Sequence, residues 1–454
     1  MIRNQPVEFK LKKSRNSKKT STDIKSYFEK SLDYSKIESS LYDKYGVKRG
    51  LRNANGTGVL VLLTKISDVY GYKMIDGNKV DDEGHLYYRG YDIYDLLKYS
   101  SMHYGFERVC FLILFSHLPT DKELEEFHTF LADNYELSNE FVNDHILNHP
   151  SNSVMNQIQR TMLSLYSYDN DPDNVTPYET LVKGINIIAM MPSIISYCYR
   201  SKRHYVDGLS LHIRQPKKEL SIAENLLHMS RTHGNFTRLE AETLDLALIL
   251  HADHGGANNS TFANIVISSS ATDIYSAMTA SLGSLKGPRH GGANIAVKKM
   301  MDAVIKEIGL TKDEEVIRKI INDILDKKFY NESGLIYGIG HPVYTLSDPR
   351  AILLKNKCHE LAIEQGYEDK FNFYATFEKI AIEELKKRKK INVCFNIDFY
   401  SGLTYEILQI NEDLFTPIFA CGRMVGWLAH NIENKLYCDK IIRPAGKYVG
   451  EVIK

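Results

Sequence analysis

Apolar residues in this chain recur at three- and four-residue intervals over long stretches, the spacing that gives a helix one apolar face. The clearest stripe is Val316, Ile317, Ile320, Ile321, Ile324 and Leu325, with Arg318, Lys319, Asp323 and Asp326 covering the other side. The same periodicity predicts helices over 104–116, 153–168, 179–199, 217–231, 238–250, 262–283, 295–308, 350–364, 375–390 and 404–434. Helix starts are marked by chemistry: Thr120 with Glu123, Thr176 with Glu179 behind Pro177, and Thr311 with Glu314 each read as a capping box. One region breaks the pattern. Between Val69 and Tyr91, Asp76-Gly77 signals a turn and His85-Leu86-Tyr87-Tyr88 is strand-like, so one or two short hairpins are predicted there. The fold class expected is therefore all-α with a short N-terminal β-hairpin region. No internal repeat of about 20–50 residues is visible, which excludes a solenoid.

Composition narrows this little. A chain of 454 residues can bury a large core and divides into two domains or a lobe with an insertion, and 43% hydrophobic with 25% charged residues is ordinary for a globular protein. Lys+Arg and Asp+Glu both total 57, so a protein built mainly to bind nucleic acid is not expected. The run Lys386-Lys387-Arg388-Lys389-Lys390 ends a predicted helix and reads as a solvated terminus, where cations meet the negative end of the helix dipole. Six scattered cysteines without a CxxC pair read as reduced thiols, and a cytoplasmic location is expected. The apolar run from Ile185 to Ile195 contains Asn186 and Pro192 and falls short of the roughly 20 residues that span a bilayer; a core helix is expected. Lys10, Lys12, Lys13, Arg15, Lys18 and Lys19 alternate with polar residues and read as an irregular arm.

Four segments stand out chemically. Gly287-Pro288-Arg289-His290-Gly291-Gly292 sets an imidazole between a turn and two glycines, where it is presented rather than packed. His251-Ala252-Asp253-His254 admits three readings: a helix end with satisfied histidines, an anion site, or a metal site of a hydrolase built on His251, Asp253 and His254. Gly338-Ile339-Gly340-His341 precedes Asp348-Pro349-Arg350, where Asp348 suits an N-cap, Pro349 the first helical position and Arg350 the first turn, ready for a carboxylate. Asp398 lies among Val393, Phe395, Ile397 and Phe399, so desolvation should raise its basicity, although it could equally cap a helix with Ser401-Gly402. Arg423 and Arg443 need anionic partners if buried.

In this order and spacing, the segments resemble the citrate synthase family from about Gly50 to the C-terminus. Tyr88-Arg89-Gly90-Tyr91-Asp92 is similar to its R-G-Y element, and His251–Asn258, Gly287–Asn294, Gly338–Arg350, Asn396–Gly402, Phe415–His430 and Arg443–Gly450 each match a family signature. The resemblance implies a two-domain helical homodimer that condenses acetyl-CoA with oxaloacetate; 2-methylcitrate synthase, which uses propionyl-CoA, is the near alternative. It implies an arm over 1–50, a large domain over 51–290 and 409–454, and a small one over 291–408. It also implies His290, His341 and Asp398 as catalytic residues. His254, Arg350, Arg423 and Arg443 would bind oxaloacetate, with Arg443 reaching the partner's site. No cofactor or metal is called for, and neither nucleic acid nor membrane is an expected partner. The chain departs from the pattern at Pro342 and at Thr345, where some relatives carry a basic residue for CoA phosphates. Gly338 and Gly340 remain candidates for CoA contact by their backbone, and Lys286, Arg289 and Lys355 for its phosphates. The stretch before Tyr42 lacks the β-region of hexameric members, so a simple dimer is expected.

Overall fold

Helix dominates the computed structural model, which describes residues 24–53, 57–76, 78–100, 103–438 and 440–451. Four residues of the predicted stripe behave as expected: in Glu314–Leu325, Ile317, Ile320, Ile321 and Ile324 are buried, whereas Leu325 is half-buried and Val316, at the helix start, is exposed. Thr120 and Glu123 form the expected capping box on Asp121–Asp133. Thr176 caps Pro177–Tyr205 by accepting from Glu179 N, but the reciprocal bond is absent there and Asn174 Oδ1 takes the Thr176 N–H. At Thr311 the expectation fails. Asp313 is the cap, because its carboxylate accepts from both Glu315 N and Val316 N. Two further boxes, Ser221 with Glu224 and Thr237 with Glu240, went unread in the sequence.

Two predicted helices are each divided by a turn that periodicity does not register. The 262–283 stretch becomes Asn259–Ser268 and Ile274–Lys286: Ala271 takes a left-handed φ of 62°, and Asp273 starts the second helix by accepting from Ser276 N. The 404–434 stretch becomes Ile397–Ile407 and Phe415–Tyr437, separated by Gln409 at φ 54° and a short 3-10 turn, Glu412–Leu414. The expected hairpin is present. Strands β1 (Ser67–Ile75), β2 (Asn78–Tyr88) and β3 (Tyr91–Asp92) pair antiparallel in that order, with Ile75 opposite Asn78 and a register shift between Tyr70 and Tyr72. Gly77 and the basic stretch Lys10–Lys19 lie outside the described residues.

Leu62–Ile442 forms one compact unit, which contains the whole stretch 291–408. Described residues up to Val61 and from Arg443 form another, a pairing of the two chain ends that no sequence pattern announced. In this terminal unit Arg49 lies 3.8 Å over the Tyr42 ring and Lys447 5.5 Å over Tyr45. In the larger unit, Pro177–Tyr205 is long and apolar enough to cross a membrane by composition, yet 78% of its most apolar window is buried inside the protein. Helix Phe415–Tyr437 packs against it and against Arg238–His251 and Asn259–Ser268. A Cβ at Gly426 would fall 2.5 Å from Ala252 O, so only glycine lets the turn after His251 lie on this helix. All six cysteines are free thiols, five of them buried.

Candidate active site

Segments distant in sequence meet around Arg423. Its helix is held to the end of Arg238–His251, where Arg423 Nε donates to His251 O at 2.5 Å. Arg423 is 1% exposed and, among the described residues, has no ion-pair partner within contact distance; burial, with a smaller push from Arg350, brings its pKa down to about 10 against the pull of Asp253. A buried cation without a counter-ion is unfavourable, so such a group is primed for an anion. Its charge bears on His254, His290, Arg350 and Asp398, groups that come from separate segments of the chain.

One asparagine joins two of the predicted segments. Asn396 N donates to Gly338 O (2.9 Å), Asn396 Nδ2 donates to Gly340 O (2.9 Å), and Gly340 N donates to Cys394 O (2.7 Å). Asn396 Oδ1 also caps Ile397–Ile407 by accepting from Asp398 N (3.0 Å). The His341 loop and Asp398 are therefore built on the same residue. Asp398 is not the cap. It sits in the first turn, and no described group donates to its carboxylate. Burial pushes that carboxyl up to about 6, against the pull of Arg350.

His341 has a defined tautomer. Its Nδ1 accepts from Val343 N and Tyr344 N, both at 3.1 Å, so the ring proton resides on Nε2. Pro342 has no N–H, which makes these the first two amides available. Burial, reinforced by Arg350, lowers His341 to about 4, so the ring is a neutral donor. It stacks on Tyr344 at 4.8 Å and meets the His254 ring edge-on at 5.2 Å. His254 is likewise held well below the ordinary range by burial and by Arg350, and its buried Nε2 lacks a partner. Arg350 forms a two-point pair with Asp348 (Nε–Oδ1 3.0 Å, Nη2–Oδ2 2.8 Å), and Asp348 caps Arg350 N as predicted. The hairpin steadies this loop: Tyr344 OH donates to His85 O (3.2 Å), Thr345 Oγ1 to Gly71 O (3.1 Å) and Gly84 N to Ser347 Oγ (3.0 Å). Contact is close enough that a Cβ on Gly84 would lie 2.1 Å from Ser347 O.

His290 Nε2 lies 2.9 Å from Ser260 Oγ, which accepts from Trp427 Nε1 at 3.3 Å. Ser260 Oγ also donates to Asn258 Oδ1 at 3.1 Å. Burial, then Arg423, lowers His290 to about 4, so this imidazole is neutral too.

Other predicted residues fall elsewhere. Asp253 Oδ2 accepts from His430 Nε2 (3.0 Å), Ser67 Oγ and Gly255 N (3.2 Å). Burial opposes its ionisation, but His430, Arg423 and Ser67 outweigh that and hold its carboxyl well below the usual range. His251 Nε2 pairs with Tyr405 OH at 3.3 Å. The three hydrolase candidates therefore face different partners, no group of described His, Cys, Asp or Glu residues is arranged to hold a metal ion, and that reading has no support. Lys355 is committed to Glu378 (2.7 Å), which takes up its charge. Gly338 and Gly340, at φ 81° and 99°, use backbone polar groups on the 394–396 segment. Lys286 and Arg289 stand exposed close to His290 in the chain, and Arg443, also exposed, belongs to the terminal unit. Ser260, Asn396 and Tyr344 went unread. Only Asn396 had a legible signal, an N-cap residue two positions before Asp398.

The comparisons with known proteins agree on one family. The family model described as "Citrate synthase, C-terminal domain" matches residues 53–445. The chain belongs to the citrate synthase family. It is 36% identical over 412 residues to citrate synthase of Haloferax volcanii, covering 89% of this chain and 96% of that one. It is 32% identical over 366 residues to 2-methylcitrate synthase of Shewanella oneidensis, covering 80% and 88%. Among solved structures, citrate synthase from Pyrobaculum aerophilum superposes with a TM-score of 0.72 at 29% identity, over 87% of this chain and 91% of that one. The fold is thus the all-α architecture of citrate synthases, here with a small three-stranded sheet.

Proposed function

We propose that this citrate synthase condenses acetyl-CoA with oxaloacetate through the groups gathered around Arg423. The observation that carries this is the pairing of an unpartnered carboxylate of raised pKa with an unpartnered buried guanidinium, among three neutral imidazoles. A thioester methyl is a very weak acid, so its proton must be taken while charge on the carbonyl oxygen is stabilised. Asp398 takes the proton, and His290 donates to the developing enolate oxygen. His341 Nε2–H polarises the keto carbonyl of oxaloacetate, which the methylene carbon attacks to form the new carbon–carbon bond. Water then cleaves the citryl thioester, releasing CoA. Arg423, Arg350 and the His254 imidazole hold the two oxaloacetate carboxylates. Arg350 brings Asp348 with it, so its guanidinium is oriented before substrate arrives.

Neutral imidazoles suit this role. A charged His290 or His341 would repel Arg350 and Arg423, whereas a neutral N–H donates without adding charge to the centre. The acid–base work is done by side chains and calls for no redox group or other cofactor. Homodimer formation, with Arg443 of a second copy completing the carboxylate site, is part of the proposal. So are closure of 291–408 over the large domain, to exclude water from the enolate, and a cytoplasmic location.

The relative from Shewanella oneidensis keeps propionyl-CoA as the rival substrate. One methylene is worth only about 1–3 kcal/mol of discrimination in a pocket. Thiol release with oxaloacetate and each acyl-CoA tests both readings. A higher kcat/KM for acetyl-CoA is expected, a higher value for propionyl-CoA favours the rival, and no release with either refutes the function.

A further inference from the structure

Four arginines are buried among the described residues: Arg108, Arg200, Arg350 and Arg423. Arg108 reaches Pro119 O and Asp121, Arg350 is paired with Asp348, and Arg423 belongs to the catalytic centre. Arg200 differs. It is 7% exposed, has neither an ion pair nor a hydrogen bond among the described residues, and its Nε and Nη2 are shut off from solvent without an acceptor. Its guanidinium lies 5.7 Å from the centre of the Tyr199 ring and lines a recess of about 890 Å³ formed by the end of helix Pro177–Tyr205, the loop after it and the stretch 230–237. We propose that this recess is an effector site, which takes a small, multiply charged anion, carboxylate or phosphate, as the counter-ion that Arg200 lacks.

The surroundings select the sign of the ligand. Burial, then the charges of Arg214 and Arg203, lower the Arg200 pKa, so the charged groups that bear on it are themselves cations. Arg203 is committed to Asp207 (2.8 Å), and Arg231 to Glu240 through two bonds (2.7 and 2.8 Å). Arg214 has no ion pair among the described residues, and its Nη2 donates to Thr232 O. A buried cation flanked by further cations is unfavourable until an anion joins it. Ser210, Thr232 and Asn235 add neutral polar groups to the lining, and the volume suits a metabolite rather than a single inorganic ion.

The opposite wall gives occupancy a consequence. Gln365 and Gln409 both line the recess. Gln365 is the last residue of the helix that begins Pro349-Arg350, and Gln409 follows the helix that begins Ile397-Asp398. At about 1.5 Å per helical residue, the recess is roughly 20 Å from Arg350 and about 15 Å from Asp398. Arg231, also in the lining, donates to Leu408 O at 2.6 Å. The recess thus joins the tails of two helices whose first turns carry substrate-binding and catalytic groups to the helix of Arg200. An anion held there biases the placement of both helices as rigid elements.

The test is calorimetric titration at low ionic strength of protein saturated with oxaloacetate and CoA, so that both substrate sites are filled, with tricarballylate and pyrophosphate as probes. One additional site per chain is expected for at least one probe, and the probe that binds assigns carboxylate or phosphate. Arg200→Met should weaken this binding about tenfold or more, the worth of a charge-assisted contact. Arg200→Lys, which keeps the charge, should largely restore it, and Lys217→Gln, an exposed cation outside the recess, should leave it unchanged. In a thiol-release assay the same probe should shift KM for oxaloacetate, and the shift should vanish in Arg200→Met, whose turnover without probe stays that of the unmodified protein. Four results overturn the proposal: no additional site with either probe, equal affinity in Arg200→Met, binding without a change in KM, or a KM shift that persists in Arg200→Met and so arises at the catalytic centre.

Discussion

Replacing Asp398 by asparagine should abolish turnover and stabilise the protein at neutral pH. Burial moves this carboxyl from 3.8 to about 6, so the fold favours its protonated form. Below pH 3.8 both folded and unfolded chains carry the proton and the group contributes nothing. Between 3.8 and 6 the unfolded chain ionises first, and stability falls as pH rises. Above 6 the full penalty applies: about 2.2 pH units at 1.36 kcal/mol each, or about 3 kcal/mol. Partial contact with solvent reduces this to about 1–3 kcal/mol. Asp398→Asn keeps the shape and removes the ionisation. Its melting temperature should exceed that of the unmodified protein by a few degrees at pH 8, and the gain should shrink towards pH 4. Loss of the base should lower kcat by about 10²–10⁴-fold with little change in KM for oxaloacetate, and kcat/KM of the unmodified enzyme should rise with pH to a limb near 6. A variant that retains more than a tenth of the turnover, or melts lower at pH 8, refutes the reasoning, because the carboxylate would then be structurally satisfied rather than held ready.

Three shorter predictions concern the same centre. Arg423→Met removes the buried guanidinium together with its bond to His251 O, so KM for oxaloacetate should rise about 100-fold from losing charge-assisted bonds; an unchanged KM would place the dicarboxylate elsewhere. Gly84→Ala sets a methyl 2.1 Å from Ser347 O, so destabilisation of about 1–3 kcal/mol is expected. Because this contact steadies the His341 loop, kcat should fall as well, and an unaltered kcat would show that the hairpin does not position that loop. Exhaustive chelation should leave thiol release unchanged, and a loss restored by a divalent cation would reopen the hydrolase-type reading.

The helical class, the hairpin and most helix positions were legible because each follows from local spacing or capping. The Ile317–Ile324 stripe needs only its own side chains to declare a buried face, and Asp348-Pro349 declares a helix start in two residues. What periodicity missed were turns inside apolar stretches: Ala271 and Gln409 interrupt the chain without interrupting its hydrophobicity. The Thr311 box failed because the Asp313 carboxylate, nearer the first helical amides, accepted from two of them.

The candidate chemistry divides along the same line. Sequence alone determined the presence of His254, His290, His341, Arg350, Asp398 and Arg423 in segments of a recognisable kind, since residue type and neighbouring glycines or prolines are local facts. It left Asp398 open as base or cap, and His251-Ala252-Asp253-His254 open as anion site, metal site or filler. Only tertiary structure decided these, because ionisation and hydrogen bonding depend on groups supplied from remote parts of the chain. Asn396 takes the capping role and leaves Asp398 unpaired; His430 and Ser67 occupy Asp253; Gly426 lets the His254 turn reach the helix of Arg423. A carboxyl at about 6 and a guanidinium without a counter-ion are properties of that assembled surrounding, not of the residues that carry them.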